Sequence, residues 1–85
     1  MEKTAFNKLF GEFVKEKRMI LKLSQAQLGD KMSLDYQYIS RVERGLISPT
    51  LYWIAGLSNA MELPLDTFIK EFADYSDLDT SSITN

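Results

Sequence analysis

Eighty-five residues are enough for one domain with a single small core and too few for two. Without cysteine there is no disulfide framework and no thiolate metal site, and without histidine the common general base is missing, so neither metal chemistry nor catalysis is expected. The formal charge of −2 argues against nucleic acid only until its distribution is read: residues 1–50 carry nine Lys/Arg against six Asp/Glu, residues 51–85 one against six.

A chain divided in this way can turn a basic end toward phosphate and an acidic end away from it, although a short chain can also acquire such an imbalance by chance. It contains neither a signal-peptide pattern nor an apolar run long enough to span a bilayer, so a soluble cytoplasmic protein without membrane attachment is expected.

The first helix is expected from Thr4 to Leu21, with Phe6, Leu9, Phe10, Phe13 and Val14 as its apolar stripe and Lys8, Lys15, Lys17 and Lys22 exposed. Ser24 then opens a capping box: its hydroxyl can accept from the Gln27 backbone N–H while the Gln27 amide reaches back. Leu23 and Leu28 occupy the positions of a hydrophobic staple, and the pattern recurs eleven residues on, where Asp35 is the cap and Leu34 faces Ile39. Two staples so close together specify two short helices rather than one long one. The link Lys31-Met32-Ser33-Leu34 is short enough to make them cross steeply, and Gly45 stops the second.

In that second short helix Ile39 and Val42 share the face that packs on Leu28. Tyr36, Gln37, Ser40, Arg41 and Arg44 follow the spacing i, i+1, i+4, i+5, i+8 and project together from the other side. A merely solvated face is the plain alternative. Against it, the set is mixed rather than Glu/Lys-rich, contains an exposed aromatic, and includes Gln and Arg, which pair with adenine and guanine edges.

Ser48-Pro49-Thr50 reads as a fourth helix start, with Thr50 or Ser48 as its cap and Leu51, Ile54, Leu57 and Met61 as its buried face to about Glu62. Gly56 inside it costs about 1 kcal/mol relative to Ala and suggests a close helix contact. Pro64 and Asp66 begin a fifth helix carrying Leu65, Phe68, Ile69 and Phe72, which supply either core or the dimer surface, with Trp53 and Tyr52 as further candidates for that surface. The domain is expected to span residues 1–73. Residues 74–85, acidic and hydroxyl-rich, read as a flexible tail, the alternative being a segment that clasps a partner through Tyr75 or Leu78.

The run Ser-Gln-x-x-Leu-Gly at 24–29, followed by Tyr-Ile-Ser-Arg-Val-Glu-Arg-Gly at 38–45 and Pro49, closely resembles the lambda-repressor-like (Cro/XRE) helix-turn-helix family over residues 10–69. The resemblance implies an all-α, compact five-helix DNA-binding domain whose second and third helices form the helix-turn-helix, acting as a homodimer on operator DNA. It implies base contacts from Asp35, Tyr36, Gln37 and Arg41, joined by Ser40 from the same face, and phosphate contacts from Gln25, Tyr38 and Arg44. Asp35, being anionic, is better suited to capping the helix or accepting from a cytosine amino group than to meeting phosphate.

The resemblance also implies a structural ion pair between Arg18 and Glu43, and removing one partner would cost roughly 3–5 kcal/mol if burial is complete. Three residues depart from the family pattern: Gly29 stands for Ala, Ser33 for the turn Gly, and Lys17 for Leu. The Leu-Asp-Tyr-Gln-Tyr-Ile-Ser stretch with Glu-Arg-Gly is further similar to the controller proteins of restriction-modification systems, which implies transcriptional control of the chain's own operon. Asp30 on the second helix is placed to touch RNA polymerase if the protein activates, or is simply solvated. The competing reading is an antitoxin or adaptor, a protein-interaction module on the same fold whose acidic C-terminal part neutralises a basic partner.

Overall fold

The computed structural model describes residues 1–77, and the part of the expected tail from Leu78 onward lies outside them. Among the described residues there are five helices and no strand: α1 Lys3–Ile20, α2 Gln25–Lys31, α3 Tyr36–Glu43, α4 Leu51–Ala60 and α5 Leu65–Ser76. The domain boundary moves accordingly. α5 runs three residues past Ala73, so Asp74, Tyr75 and Ser76 are helical, with the Tyr75 ring against Phe13 at 5.4 Å.

Three of the helix starts are closed by the side chains the sequence indicated. Ser24 and Gln27 form the full capping box, Asp35 accepts from the Gln37 backbone N–H at 2.9 Å, and Thr50 accepts from that of Trp53 at 3.1 Å. The helix ends follow a rule the sequence reading missed. Each of α1 to α4 closes with paired backbone bonds onto its last turn: Lys22 to Met19 and Leu23 to Arg18; Ser33 to Asp30 and Leu34 to Gly29; Gly45 to Val42 and Leu46 to Arg41; Glu62 to Asn59 and Leu63 to Ser58. In all four the first residue of each pair has positive φ, and the second is leucine. Only α3 supplies Gly for the left-handed position. Lys22, Ser33 and Glu62 adopt it at φ 59°, 56° and 59°, so the Ser33 turn keeps its left-handed geometry without the family's Gly.

One core joins the helices, with Val14, Leu28, Ile39, Val42, Leu57 and Phe68 fully enclosed at its centre. α1 packs against both α3 and α5, α2 against α3, and α4 against α5. Phe6, Phe10 and Phe13 of α1 meet Phe68 and Phe72 of α5, the closest centroids 5.2 Å apart and most of the rings edge to face, a geometry worth about 0.5–1.5 kcal/mol per pair beyond burial. At the edge of that seam the Tyr75 pKa is raised above the ordinary phenol value, first by desolvation and then by the Glu16 and Glu12 carboxylates.

Lys17 was expected in solvent. It instead bridges α1 to α5 through an ion pair with Glu71, its stem half-buried, which explains how a charged residue is accommodated where the family has Leu. Gly56 is also corrected. A Cβ there would meet only the Met32 methyl at 3.9 Å, so no helix approaches it within the protomer. The close approaches are at Gly11, where a Cβ would lie 2.4 Å from the Val42 carbonyl oxygen, and at Gly29, 2.8 Å from that of Leu34. Gly11 therefore sets how near α1 comes to α3. Ser48, considered above only as a possible cap, donates instead to the buried Asn7 side chain at 2.7 Å and ties the α3–α4 link to α1.

Candidate nucleic-acid interface

The α3 helix turns Ile39 and Val42 inward and leaves Tyr36, Gln37, Ser40, Arg41 and Arg44 on the other side, Tyr36 being 50% exposed. At 100° per residue these five occupy an arc of about 140°, opposite the buried pair. Among the described residues no partner claims the side chains of Gln37 or Arg41, while the Arg44 Nε–H leans back on the Ser40 carbonyl at 3.4 Å. Gln37 and Arg41 thus retain all their side-chain donors for an external ligand, and Arg41 and Arg44 make the arc positive. Asp35 is the cap, with one carboxylate oxygen committed to the helix and the other still open.

Both flanks of the arc are braced. On one flank, Glu43 is held by Arg18 of α1 through Nε to Oε2 at 2.7 Å and Nη2 to Oε1 at 3.1 Å, the two side chains only 3% and 11% exposed. This is the ion pair that the resemblance implied. Arg18 also donates to the Leu23 carbonyl at 2.7 Å, and Gln25 of α2 donates from Nε2 to Glu43 Oε1 at 3.0 Å. On the other flank Tyr38 lies against Trp53 of α4, centroids 4.9 Å apart. The buried Trp53 indole N–H has no hydrogen-bond partner among the described residues.

Of the eight residues expected to touch DNA, the structure brings Asp35, Tyr36, Gln37, Ser40, Arg41 and Arg44 together. Tyr38 stands apart from them, its ring packed between α3 and α4, because an offset of two residues turns it away from Tyr36. Gln25 is engaged within the protomer before any ligand arrives.

The expected dimer surface divides more sharply. Phe68 at 0% and Phe72 at 5% exposure are core residues and present nothing to a partner, whereas Ile69 is 42% exposed and Leu65 is half-buried. Of the other two candidates, Tyr52 is almost wholly exposed and Trp53 is occupied by Tyr38.

The family model HTH_3, described as helix-turn-helix, matches residues 14–68, which include α2, α3 and the brace from Arg18. The chain belongs to the HTH_3 family. As an HTH_3 protein it is a DNA-binding helix-turn-helix domain, and α2 and α3 are its two defining helices. Among solved structures it is similar to the restriction-modification controller protein C.AhdI from Aeromonas hydrophila, at 31% identity and a TM-score of 0.71, over 75% of this chain and 97% of that one. It shares its fold with an HTH_3 family transcriptional regulator from Vibrio cholerae at 18% identity and a TM-score of 0.74, spanning 82% of this chain but only 39% of the other. Comparison with curated protein sequences finds no match. No helix among the described residues is long and apolar enough to cross a membrane.

Two contributors to the site escaped the sequence reading. Gly11 had no distinguishing signal beyond its place in the apolar stripe of α1. Trp53 did have one: it precedes the half-buried Ile54 and the buried Leu57 by one and four positions, which puts it at the border of the α4 core face, where a second helix can reach it.

Proposed function

We propose that this HTH_3 protein is a sequence-specific transcriptional regulator that binds operator DNA as a homodimer and controls its own operon, as a restriction-modification controller would. The observation that carries the reading is the polar arc of α3: five mixed side chains, with Gln37 and Arg41 uncommitted, on a helix fixed from both flanks. The similarity to a restriction-modification controller at 31% identity supports the choice of biological role.

In this reading α3 lies in the major groove with its N-terminal residues against base edges, and two subunits address half-sites about one helical turn apart. Gln37 and Arg41 supply most of the discrimination, at about 1–3 kcal/mol for each good bidentate contact. Arg44 contributes mainly affinity, and that part falls as salt rises. A duplex selected from a random pool provides the test. Arg41→Ala and Gln37→Ala should each weaken binding to it while leaving affinity for random duplex little changed. If both variants discriminate as the wild type does, another face reads the DNA.

The dimer surface is the flank of α5 that carries Leu65 and Ile69, since the inward flank is spent on the core. Ile69→Asp should shift the protein toward monomer in sedimentation at micromolar concentration without loss of helix content. A wild type that already sediments as a monomer removes the homodimer from the proposal. Contact with RNA polymerase through the exposed Asp30 belongs to the same reading and applies only if the protein activates transcription.

A further inference from the structure

Glu43 has a third hydrogen-bond donor that the pairing with Arg18 does not require. The Arg18 fork engages one lone pair on each carboxylate oxygen, and Gln25, from a different helix, donates to a second lone pair of Oε1. We propose that Glu43 is a positioning residue for DNA binding, orienting the Gln25 side-chain amide so that its second Nε2 hydrogen is offered to a DNA phosphate. The inference rests on the DNA-reading proposal and deepens it by connecting a buried ion pair to a backbone contact.

The chemistry of the pair dictates the orientation. An ionised carboxylate only accepts, so the end of the Gln25 amide that faces Glu43 must be its NH2 group. One hydrogen goes to Glu43 and one remains. With the Glu43 acceptor removed the amide can turn over and show its oxygen to the phosphate oxygens, and two acceptors repel. Glu43 cannot itself turn, because Arg18 grips it at 2.7 and 3.1 Å and is anchored in turn to the Leu23 carbonyl at 2.7 Å, two residues before Gln25. The chain Leu23–Arg18–Glu43–Gln25 therefore closes a loop that fixes both the amide and the backbone from which it extends. With Glu43 only 3% exposed, water does not compete for its oxygens, and a charge-assisted bond of this kind polarises the remaining N–H.

The test is a double-mutant cycle on the full chain, with Gln25→Met and Glu43→Gln titrated against the selected duplex and a random duplex at a temperature where every variant is folded. Each change should weaken binding to both duplexes by about tenfold, the order expected for one hydrogen bond to a charged group, and the double variant should bind no more weakly than the weaker single one. Glu43→Asp, which retains the charge but withdraws it by one methylene, serves if Glu43→Gln does not fold, and the same non-additivity is expected. A readout that needs no variant is exchange of side-chain amide protons: those of Gln25 should exchange with water more slowly than those of the exposed Gln37. Losses that multiply in the double variant, full binding by Gln25→Met, or equally fast exchange at Gln25 and Gln37 overturn the proposal. Failure of the wider reading looks different, because the wild type itself would then not distinguish the selected duplex from the random one.

Discussion

The seam between α1 and α5 and the crossing of α1 and α2 with α3 are built by opposite means. The first is five phenylalanine rings in contact, a large apolar area whose energy varies slowly with small shifts. The second has little area and strict geometry: backbone meets backbone at Gly11 and Gly29, and a buried carboxylate accepts three donors from two other helices. Stability and placement are thus assigned to different regions. The aromatic seam keeps the domain folded, and the glycine crossings with the Arg18–Glu43 brace determine where the α3 arc sits.

Three substitutions can break or sharpen that contrast. The largest stability loss is expected for Phe68→Ala, about 3–5 kcal/mol in urea denaturation, because a fully enclosed ring leaves a cavity. DNA affinity of the protein that remains folded should be unchanged. Gly11→Ala should cost less, about 1–3 kcal/mol, yet weaken DNA binding more, since the new methyl pushes directly on the backbone of α3. The contrast fails if Phe68→Ala rather than Gly11→Ala produces the greater loss of affinity in the folded state. The smallest effect is expected at Gly56, where alanine has room and should stabilise by about 0.4–1 kcal/mol, read as a raised denaturation midpoint with DNA binding intact.

Much of the architecture was legible from local rules. The cap residues Ser24, Asp35 and Thr50 make the bonds expected of them, and the i, i+1, i+4, i+5, i+8 spacing did mark one outward face of α3. The helix stops were less legible, because the left-handed positions are filled by Lys22, Ser33 and Glu62 as well as Gly45. The usable signal at the three non-glycine stops was the next residue: Leu23, Leu34 and Leu63 pack against the core, whereas Leu46, after Gly45, is exposed. The α5 aromatics were ambiguous for a different reason. A helical wheel identifies an apolar side but not what covers it, and only the position of α1 showed that Phe68 and Phe72 are spent within the protomer.

From the sequence alone came the starts of α2 and α3, the face each buries and the side chains α3 leaves outside, because each depends on bonds and periodicities spanning a few residues. On α4 the expected face failed at Leu51, which is 66% exposed. Tertiary structure decided the rest: that Lys17 finds Glu71, that Tyr38 turns to Trp53, and that Gln25 is held by Glu43. Those partners lie 15 to 54 positions apart in the chain, and no local rule of capping or spacing reaches so far. They meet only when the helices pack: the phenylalanine seam brings Lys17 to Glu71, and the close approach at Gly29 brings Gln25 within reach of Glu43.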